Sequence, residues 1–210
     1  MFEARQAYWE KVYATRAPTE VGWFQDEPAP SLAMIAAAGI EPTASVIDVG
    51  GGASRLVDRL LDEAFQRVTV LDVSIQGLTA AKTRLGARAA AVDWLVEDVT
   101  TWSPPRGAFD LWHDRAVFHF LIEETERRAY VRALSRGLRS GGHAVLAPFA
   151  LTGPERCSGL PVRRYSPETL LAELGADFQL IDAKPETHLT PDGASQDFIW
   201  CLFRKCADRP

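Results

Sequence analysis

Short apolar runs alternate with helix-patterned stretches along most of this chain. Runs at 45–49, 68–72, 92–96, 109–113 and 143–149 are short and rich in Val, Leu and aromatic residues, which predicts five strands. Stretches near 54–65, 75–85 and 124–138 read as helices between them. That rhythm predicts βαβ units, and so a parallel sheet covered by helices on both faces. The short interval between the third and fourth strands is its weakest link.

The two ends depart from the rhythm. A helix is expected from about Glu3 to Tyr13, with aromatics at Tyr8, Trp9 and Tyr13, followed by a loop that carries Trp23 and Phe24. Ser31 is then expected to cap an alanine-rich helix to about Ala38. Near the other end, Ser166-Pro167-Glu168 reads as an N-cap with proline at the first helical position, opening a helix to Leu174. The last two runs, Phe178 to Ala183 and Gln196 to Phe203, are joined by a loop with Pro191, Asp192 and Gly193. That loop is too short for a crossover helix, so the pair should be antiparallel. The expectation is one α/β domain over residues 1–210, with an N-terminal helical or lid segment at 1–44 and a loop insertion at 150–166 on the substrate side.

Composition narrows the classes. Apolar residues make up 47% and charged residues 24% of the 210 positions, which suits a single domain with a full core. No run approaches about 18 consecutive apolar residues, so no membrane contact is expected. The start, Met-Phe-Glu-Ala-Arg-Gln, lacks the basic-then-apolar order of a secretory signal, and a cytoplasmic location is expected. The net charge is −5 and the basic residues are scattered, so nucleic acid is not an expected partner. Cys157, Cys201 and Cys206 are odd in number and form no C-x-x-C pair, which argues against a disulfide framework and a structural zinc site.

Candidate chemistry begins at 46–54, Val-Ile-Asp-Val-Gly-Gly-Gly-Ala-Ser, an apolar run carrying Asp48, a glycine turn and then a helix. Such a turn lets the backbone approach a ligand closely, with the first N–H groups of the helix aimed at it. The dinucleotide fingerprint wants a third glycine where Arg55 stands, which weakens an NAD oxidoreductase. The pattern acidic-x-Gly-x-Gly-x-Gly is met at Asp48, Gly50 and Gly52, with Ser54 in the last position, and Gly51 lies inside the turn.

That pattern resembles motif I of the class I S-adenosylmethionine-dependent methyltransferases. Asp72 ends the second strand where the family places an acidic residue on the ribose hydroxyls, with Val73 beside it. Glu97-Asp98-Val99 follows the third strand, where the family's aspartate accepts from the adenine amino group and the next residue covers the ring. Phe109 to Leu121 looks like the fourth-strand motif. Leu138-Arg139-Ser140-Gly141-Gly142 is similar to the turn before the fifth strand, with Ser140 replacing proline. The N-terminal aromatics, Trp9 with Tyr13 and Trp23-Phe24-Gln25, are similar in layout to thiopurine-type and some lysine methyltransferases. The resemblance covers most of the chain and implies a Rossmann-like sheet of five parallel strands plus a C-terminal antiparallel pair.

The resemblance also distributes roles. Asp48 fixes the glycine loop or meets the cofactor's ammonium. His113 and Asp114, at the carboxyl end of the fourth strand, are candidates for proton transfer, and Asp114 also for contact with the methionine part of the cofactor. Arg115 either pairs with Asp114 or meets an acceptor anion, while His119 reads as packed core. Trp23 and Phe24 are expected in a lid, and the aromatics can meet a methyl sulfonium through cation–π contact. Cys157, Arg163, Arg164 and Tyr165 are candidates for acceptor recognition. The implied activity is metal-free methyl transfer from S-adenosylmethionine to a small-molecule nucleophile, such as a thiol, another chalcogen or a heterocycle. A protein lysine is the runner-up acceptor. A catalytically silent cofactor-binding protein is the reading from outside enzymology.

Overall fold

The computed structural model describes residues 2–207. Six α-helices and nine strands follow one another as α1 (Phe2–Thr15), α2 (Ala29–Ala37), β1 (Ser45–Val49), α3 (Leu56–Asp62), β2 (Arg67–Asp72), α4 (Ile75–Leu85), β3 (Val92–Val96), β4 (Phe109–Arg115), α5 (Glu124–Gly137), β5 (Leu138–Ala147), β6 (Arg156–Cys157), β7 (Leu160–Pro161), α6 (Pro167–Leu174), β8 (Phe178–Leu189) and β9 (Ser195–Lys205). Seven of the strands form one sheet in the order β3-β2-β1-β4-β5-β9-β8. The first five run parallel, and β9 returns antiparallel between β5 and β8.

The alternating pattern is therefore realised, with β1 and β4 side by side in the interior and the chain reversing direction across the sheet between them. Strands buried on both faces need apolar residues at nearly every position, which is how β1 and β2 read. One core layer gathers Trp112, Phe118, Tyr130, Leu134 and Phe203 between the sheet and helices α5 and α6. The other gathers Met34, Ile35, Leu56, Leu60, Leu78 and Trp200 beneath α2, α3 and α4. The face-to-face difference is large enough that a one-residue register slip in β4 would move Trp112 and Leu111 into each other's layers.

Boundaries differ from the sequence expectations where side chains take other partners. Ser31 does not cap α2: the helix starts at Ala29 after Pro28, and the Ser31 hydroxyl is spent on His113 instead. Helix α3 is shorter than 54–65, because Ser54 Oγ accepts from Leu56 N and holds the preceding turn out of the helix. Strand β5 begins at Leu138, ahead of the Gly141-Gly142 pair, and β4 shifts register between Phe109 and Leu111 to follow it. Ser166 does cap α6, reciprocally with Thr169. The terminal hairpin is longer than predicted, pairing Leu189 with Ser195. The 150–166 segment contains the small β6–β7 hairpin, whose turn residues Ser158 and Gly159 both have positive φ. No helix among the described residues is long and apolar enough to cross a membrane.

Candidate functional site

The site lies at the carboxyl ends of the parallel strands, where β1 and β4 diverge. Gly50 and Gly52 adopt φ of +71° and +44°. Gly50 N donates to Leu71 O at 2.7 Å, tying the turn to β2. A side chain at Gly51 would place its Cβ 2.6 Å from both Asp48 Oδ2 and Val70 Cγ1. These glycines are needed for conformation and for space. Ser54 stands where a glycine is usual because its hydroxyl supports α3, while Arg84 from α4 donates to Ala53 O and Ser54 O at 2.8 and 2.7 Å. Arg84 carries no motif signature and was not legible in the sequence.

Beneath the turn, Asp48 Oδ1 lies 2.7 Å from His113 Nδ1, and His113 Nε2 lies 3.0 Å from Ser31 Oγ. A carboxylate only accepts, so Nδ1 carries the proton, and in the neutral ring Nε2 accepts from the Ser31 hydroxyl. Both nitrogens of this buried imidazole are thus occupied. The Asp72 carboxyl at the end of β2 is also buried, and Oδ1 accepts from Ser74 N at 2.8 Å. Burial pushes it up to about 7, against the opposing pull of that N–H. Asp98 accepts at Oδ1 from Thr100 N and Oγ1, at 2.9 and 2.7 Å, and at Oδ2 from Arg5 of α1.

At the end of β4, Asp114 is a fastener behind the wall. Its Oδ2 accepts from the Tyr130 hydroxyl at 2.6 Å and its Oδ1 from Val117 N at 2.9 Å, and Trp112 Nε1 donates to the Tyr130 oxygen at 2.9 Å. Burial raises the Asp114 carboxyl to about 6 although these donors favour its charge. The bonds shape a turn in which Ala116 has φ of +71°, a strained conformation for alanine. Arg115 does not pair with Asp114. Its Nη1 donates to Trp23 O at 2.8 Å, and its guanidinium lies 4.6 Å from the centre of the Phe198 ring.

These residues enclose a cavity of about 750 Å³ including its mouth. Asp72, Val73, Asp98 and Val99 line one end, and Arg115, Phe120 and Cys157 approach it from β4 and the loop after β5. Trp9, Tyr13 and Trp23 close over it in edge-to-face contact, with centroids 5.6 Å apart for Trp9–Trp23 and 6.2 Å for Tyr13–Trp23. A second, adjoining cavity is lined by Phe24, Gln25, Ser31, Asp48, Gly51 and His113, and shares Trp23, Gly50 and Arg115 with the first. Helix α1 is held across the opening by polar bonds. Arg5 meets Asp98 and Glu126, Gln6 Nε2 donates to Val73 O at 3.0 Å, and Glu10 accepts from the first N–H groups of α4.

Most sequence candidates line these two cavities; Gly52, Asp114, Arg163, Arg164 and Tyr165 do not, and Asp114, expected at the cofactor, is spent on Tyr130 and Val117 N. Arg163 bonds Glu173, Arg164 bonds Glu155, and neither lines a cavity. Tyr165 is in the core, 5.4 Å from the Phe118 ring, because the chain after β7 returns to the segment that follows β5, where Tyr165 N donates to Phe149 O. Cys157 does reach the cavity, where burial pushes its thiol up to about 11. His119 is core as expected; Nδ1 accepts from Phe149 N, and burial lowers the ring to about 3.

Residues 46–142 match the family model described as a methyltransferase domain. Mouse eEF1A lysine and N-terminal methyltransferase is 25% identical over 66% of this chain and 19% of its own length. Mouse N-terminal Xaa-Pro-Lys N-methyltransferase 1 is 30% identical over 50% of this chain and 47% of its own. The chain thus spans less than half the length of either. The solved structures share the fold across nearly the whole chain. A protein of echinomycin biosynthesis, described as converting a disulfide bond into a thioacetal group, superposes with a TM-score of 0.79 at 19% identity, covering 97% of this chain and 93% of that one. The N-methyltransferase NodS of Bradyrhizobium japonicum, solved with S-adenosylhomocysteine, gives 0.71 at 19% identity, covering 96% and 97%. The sheet order, the glycine turn and these likenesses agree: residues 46–142 match a methyltransferase domain, and the chain as a whole has the fold of S-adenosylmethionine-dependent methyltransferases.

Proposed function

We propose that this chain transfers the methyl group of S-adenosylmethionine to a small-molecule nucleophile. The observation that carries the reading is the continuous cavity beneath Trp9, Tyr13 and Trp23, running from the buried carboxylates Asp72 and Asp98 to Arg115 and Cys157. The residues present fit the cofactor: a glycine turn without room for side chains, a buried carboxyl for vicinal hydroxyls, a second for an amino edge, and apolar Val73 and Val99 for the ring.

The cofactor supplies an electrophilic methyl on a sulfonium, so the protein's task is alignment and exclusion of water. Asp72 accepts from the ribose hydroxyls and Asp98 from the adenine amino group. Val117 packs against Gly50 and fixes the wall opposite the glycine turn. The aromatic lid dries the transfer path. His113 and Asp114 act by position: the first braces Asp48 under the turn, and the second sets the turn that carries Arg115 and Val117. A protein amine is the second reading, favoured by the names of the two mouse relatives.

The test is calorimetric titration with S-adenosylmethionine, S-adenosylhomocysteine and NADH, followed by methyl-transfer assays with small thiols and with Xaa-Pro-Lys peptides. Micromolar binding of the adenosyl ligands and turnover of small molecules alone is the expected result. Turnover of the peptides alone moves the assignment to protein, and binding of NADH alone removes it.

A further inference from the structure

A guanidinium carries five N–H donors, and one taken out of water needs partners for them. Arg115 uses one donor group on Trp23 O, while its Nε and Nη2 are buried without a hydrogen-bond partner. Burial draws the group down to about 10, so it remains a cation at neutral pH. The nearby carboxylates are committed elsewhere. Asp48 is engaged by His113, and Glu186 accepts from Gln25 Nε2 at 3.1 Å and Trp200 Nε1 at 2.5 Å. Arg5, the other arginine lining the cavity, is satisfied by Asp98 and Glu126. Arg115 lines both cavities, and its Nε–Nη2 edge, unpartnered and closed off just behind their surface, is the group whose geometry matches the two oxygens of a carboxylate once a small shift of the side chain uncovers it.

Position in the sheet indicates which ligand brings that carboxylate. In the order β3-β2-β1-β4-β5-β9-β8, Asp72 and Asp98 lie on one side of β1, while Arg115, Cys157 and Phe198 lie on the other. A donor whose adenosyl end rests on Asp72 and Asp98 presents its methyl at the β1–β4 divide, beside Gly50. An acceptor then approaches from the β4–β5–β9 side, where the Arg115 guanidinium lies over the Phe198 ring.

We propose that Arg115 anchors a carboxylate on the methyl acceptor, so that the substrates are small organic acids bearing a nucleophilic sulfur, nitrogen or oxygen. This rests on the methyl-transfer reading and names its acceptor class. The donor's own α-carboxylate has the same chemistry, and the test separates the two sources.

The intact chain and its Arg115→Met and Arg115→Lys variants are titrated with S-adenosylhomocysteine and with 5′-methylthioadenosine, which keeps the nucleoside thioether but has neither ammonium nor carboxylate. Protein saturated with S-adenosylhomocysteine is then titrated with salicylate and phenol, and with thiosalicylate and thiophenol. All three proteins are expected to bind S-adenosylhomocysteine within about threefold of one another. The unmodified chain is expected to bind each acid at least about tenfold more tightly than its neutral counterpart. Arg115→Met erases that preference and Arg115→Lys keeps part of it. Loss of S-adenosylhomocysteine affinity in Arg115→Met, with 5′-methylthioadenosine binding retained, assigns the guanidinium to the donor and overturns the proposal. Equal binding of acid and neutral partner by the unmodified chain, or binding of neither, overturns it without any variant. If the unmodified chain binds no adenosyl ligand, the failure lies in the methyl-transfer reading itself.

Discussion

The His113 imidazole bridges Asp48 and Ser31 beneath the glycine turn, 2.7 Å from the first and 3.0 Å from the second. A general base needs a free lone pair facing the substrate. Here both ring nitrogens are engaged, one by Asp48 and the other by a hydroxyl from α2, so the ring transmits the position of α2 and β4 to Asp48. Replacing His113 with Ala leaves Asp48 and Ser31 buried without this partner, which costs about 1–3 kcal/mol. For a chain of this size each kcal/mol lowers Tm by about 2–4 °C. The expected outcome is a lower Tm and weaker S-adenosylhomocysteine binding, with His113→Asn recovering part of both. A variant that binds normally but has lost turnover and its pH dependence would restore the proton-transfer role.

Asp72 gives a pH prediction with a definite sign. Its carboxyl is raised to about 7 in the folded chain, so it is largely protonated below that pH and ionised above it. A carboxylate accepts from both ribose hydroxyls, whereas the protonated form has less acceptor capacity. Affinity for 5′-methylthioadenosine should rise with pH up to about 7 and level off above it. The Asp72→Asn variant should bind about tenfold more weakly with a flat profile. The same slope in the variant would place the titrating group elsewhere.

The strand rhythm and the cofactor loop were legible because each is written locally. Five short apolar runs, the Gly50–Gly52 turn and Asp72 at a strand end need only neighbours in sequence to be recognised. What was not legible comes from distant contacts. Arg5 and Asp98 are far apart in the chain, and so are Ser31 and His113, so no spacing rule couples them. Tyr165 looked like a binding aromatic because it follows two arginines in a loop, but burial against Phe118 decides its place. The hairpin was expected to be antiparallel, but nothing local specified that β9 would lie inside and β8 at the sheet edge.

Helix α1 contributes no buried residue of its own, so its hold on the site rests on Arg5, Gln6, Glu10 and the aromatic contacts. We propose that it is a lid. Replacing Arg5 and Glu10 together with Gln and Ala removes the bonds to Asp98 and to the start of α4. Stopped-flow release of S-adenosylhomocysteine should then quicken by about tenfold, since charge-assisted bonds are worth about 1.5–3 kcal/mol each before solvent screening. Release at an unchanged rate would make α1 a fixed wall.

Gly50 and Gly52 separate strain from contact. A Cβ on Gly50 would lie 2.0 Å from Val117 Cγ2, and one on Gly52 2.2 Å from the Tyr13 oxygen, both at positive φ. The Val117 contact belongs to the sheet side of the wall, and the Tyr13 contact belongs to α1. Gly50→Ala should therefore lower Tm, with a strain cost of about 1–3 kcal/mol. Gly52→Ala should push α1 outward and weaken ligand binding more than it lowers Tm. Calorimetry and thermal melts on the pair check this, and equal effects of both variants on Tm and affinity would refute the separation.

Tyr130 completes a buried chain in which Trp112 donates to its oxygen and it donates to Asp114. Tyr130→Phe leaves both neighbours without that partner, at a cost of about 1–3 kcal/mol. The cost should depend on pH. With its folded value at about 6 and its ordinary value at 3.8, Asp114 retains in the folded chain, between those pH values, a proton that the unfolded chain has lost. Its contribution to stability therefore falls as pH rises through that window. Without the Tyr130 hydroxyl the folded carboxyl rises further, and the window extends upward. The loss of stability in Tyr130→Phe should be larger at pH 8 than at pH 5, measured by urea unfolding at both. An equal loss at the two pH values would mean that the hydroxyl matters to Trp112 and not to the charge on Asp114.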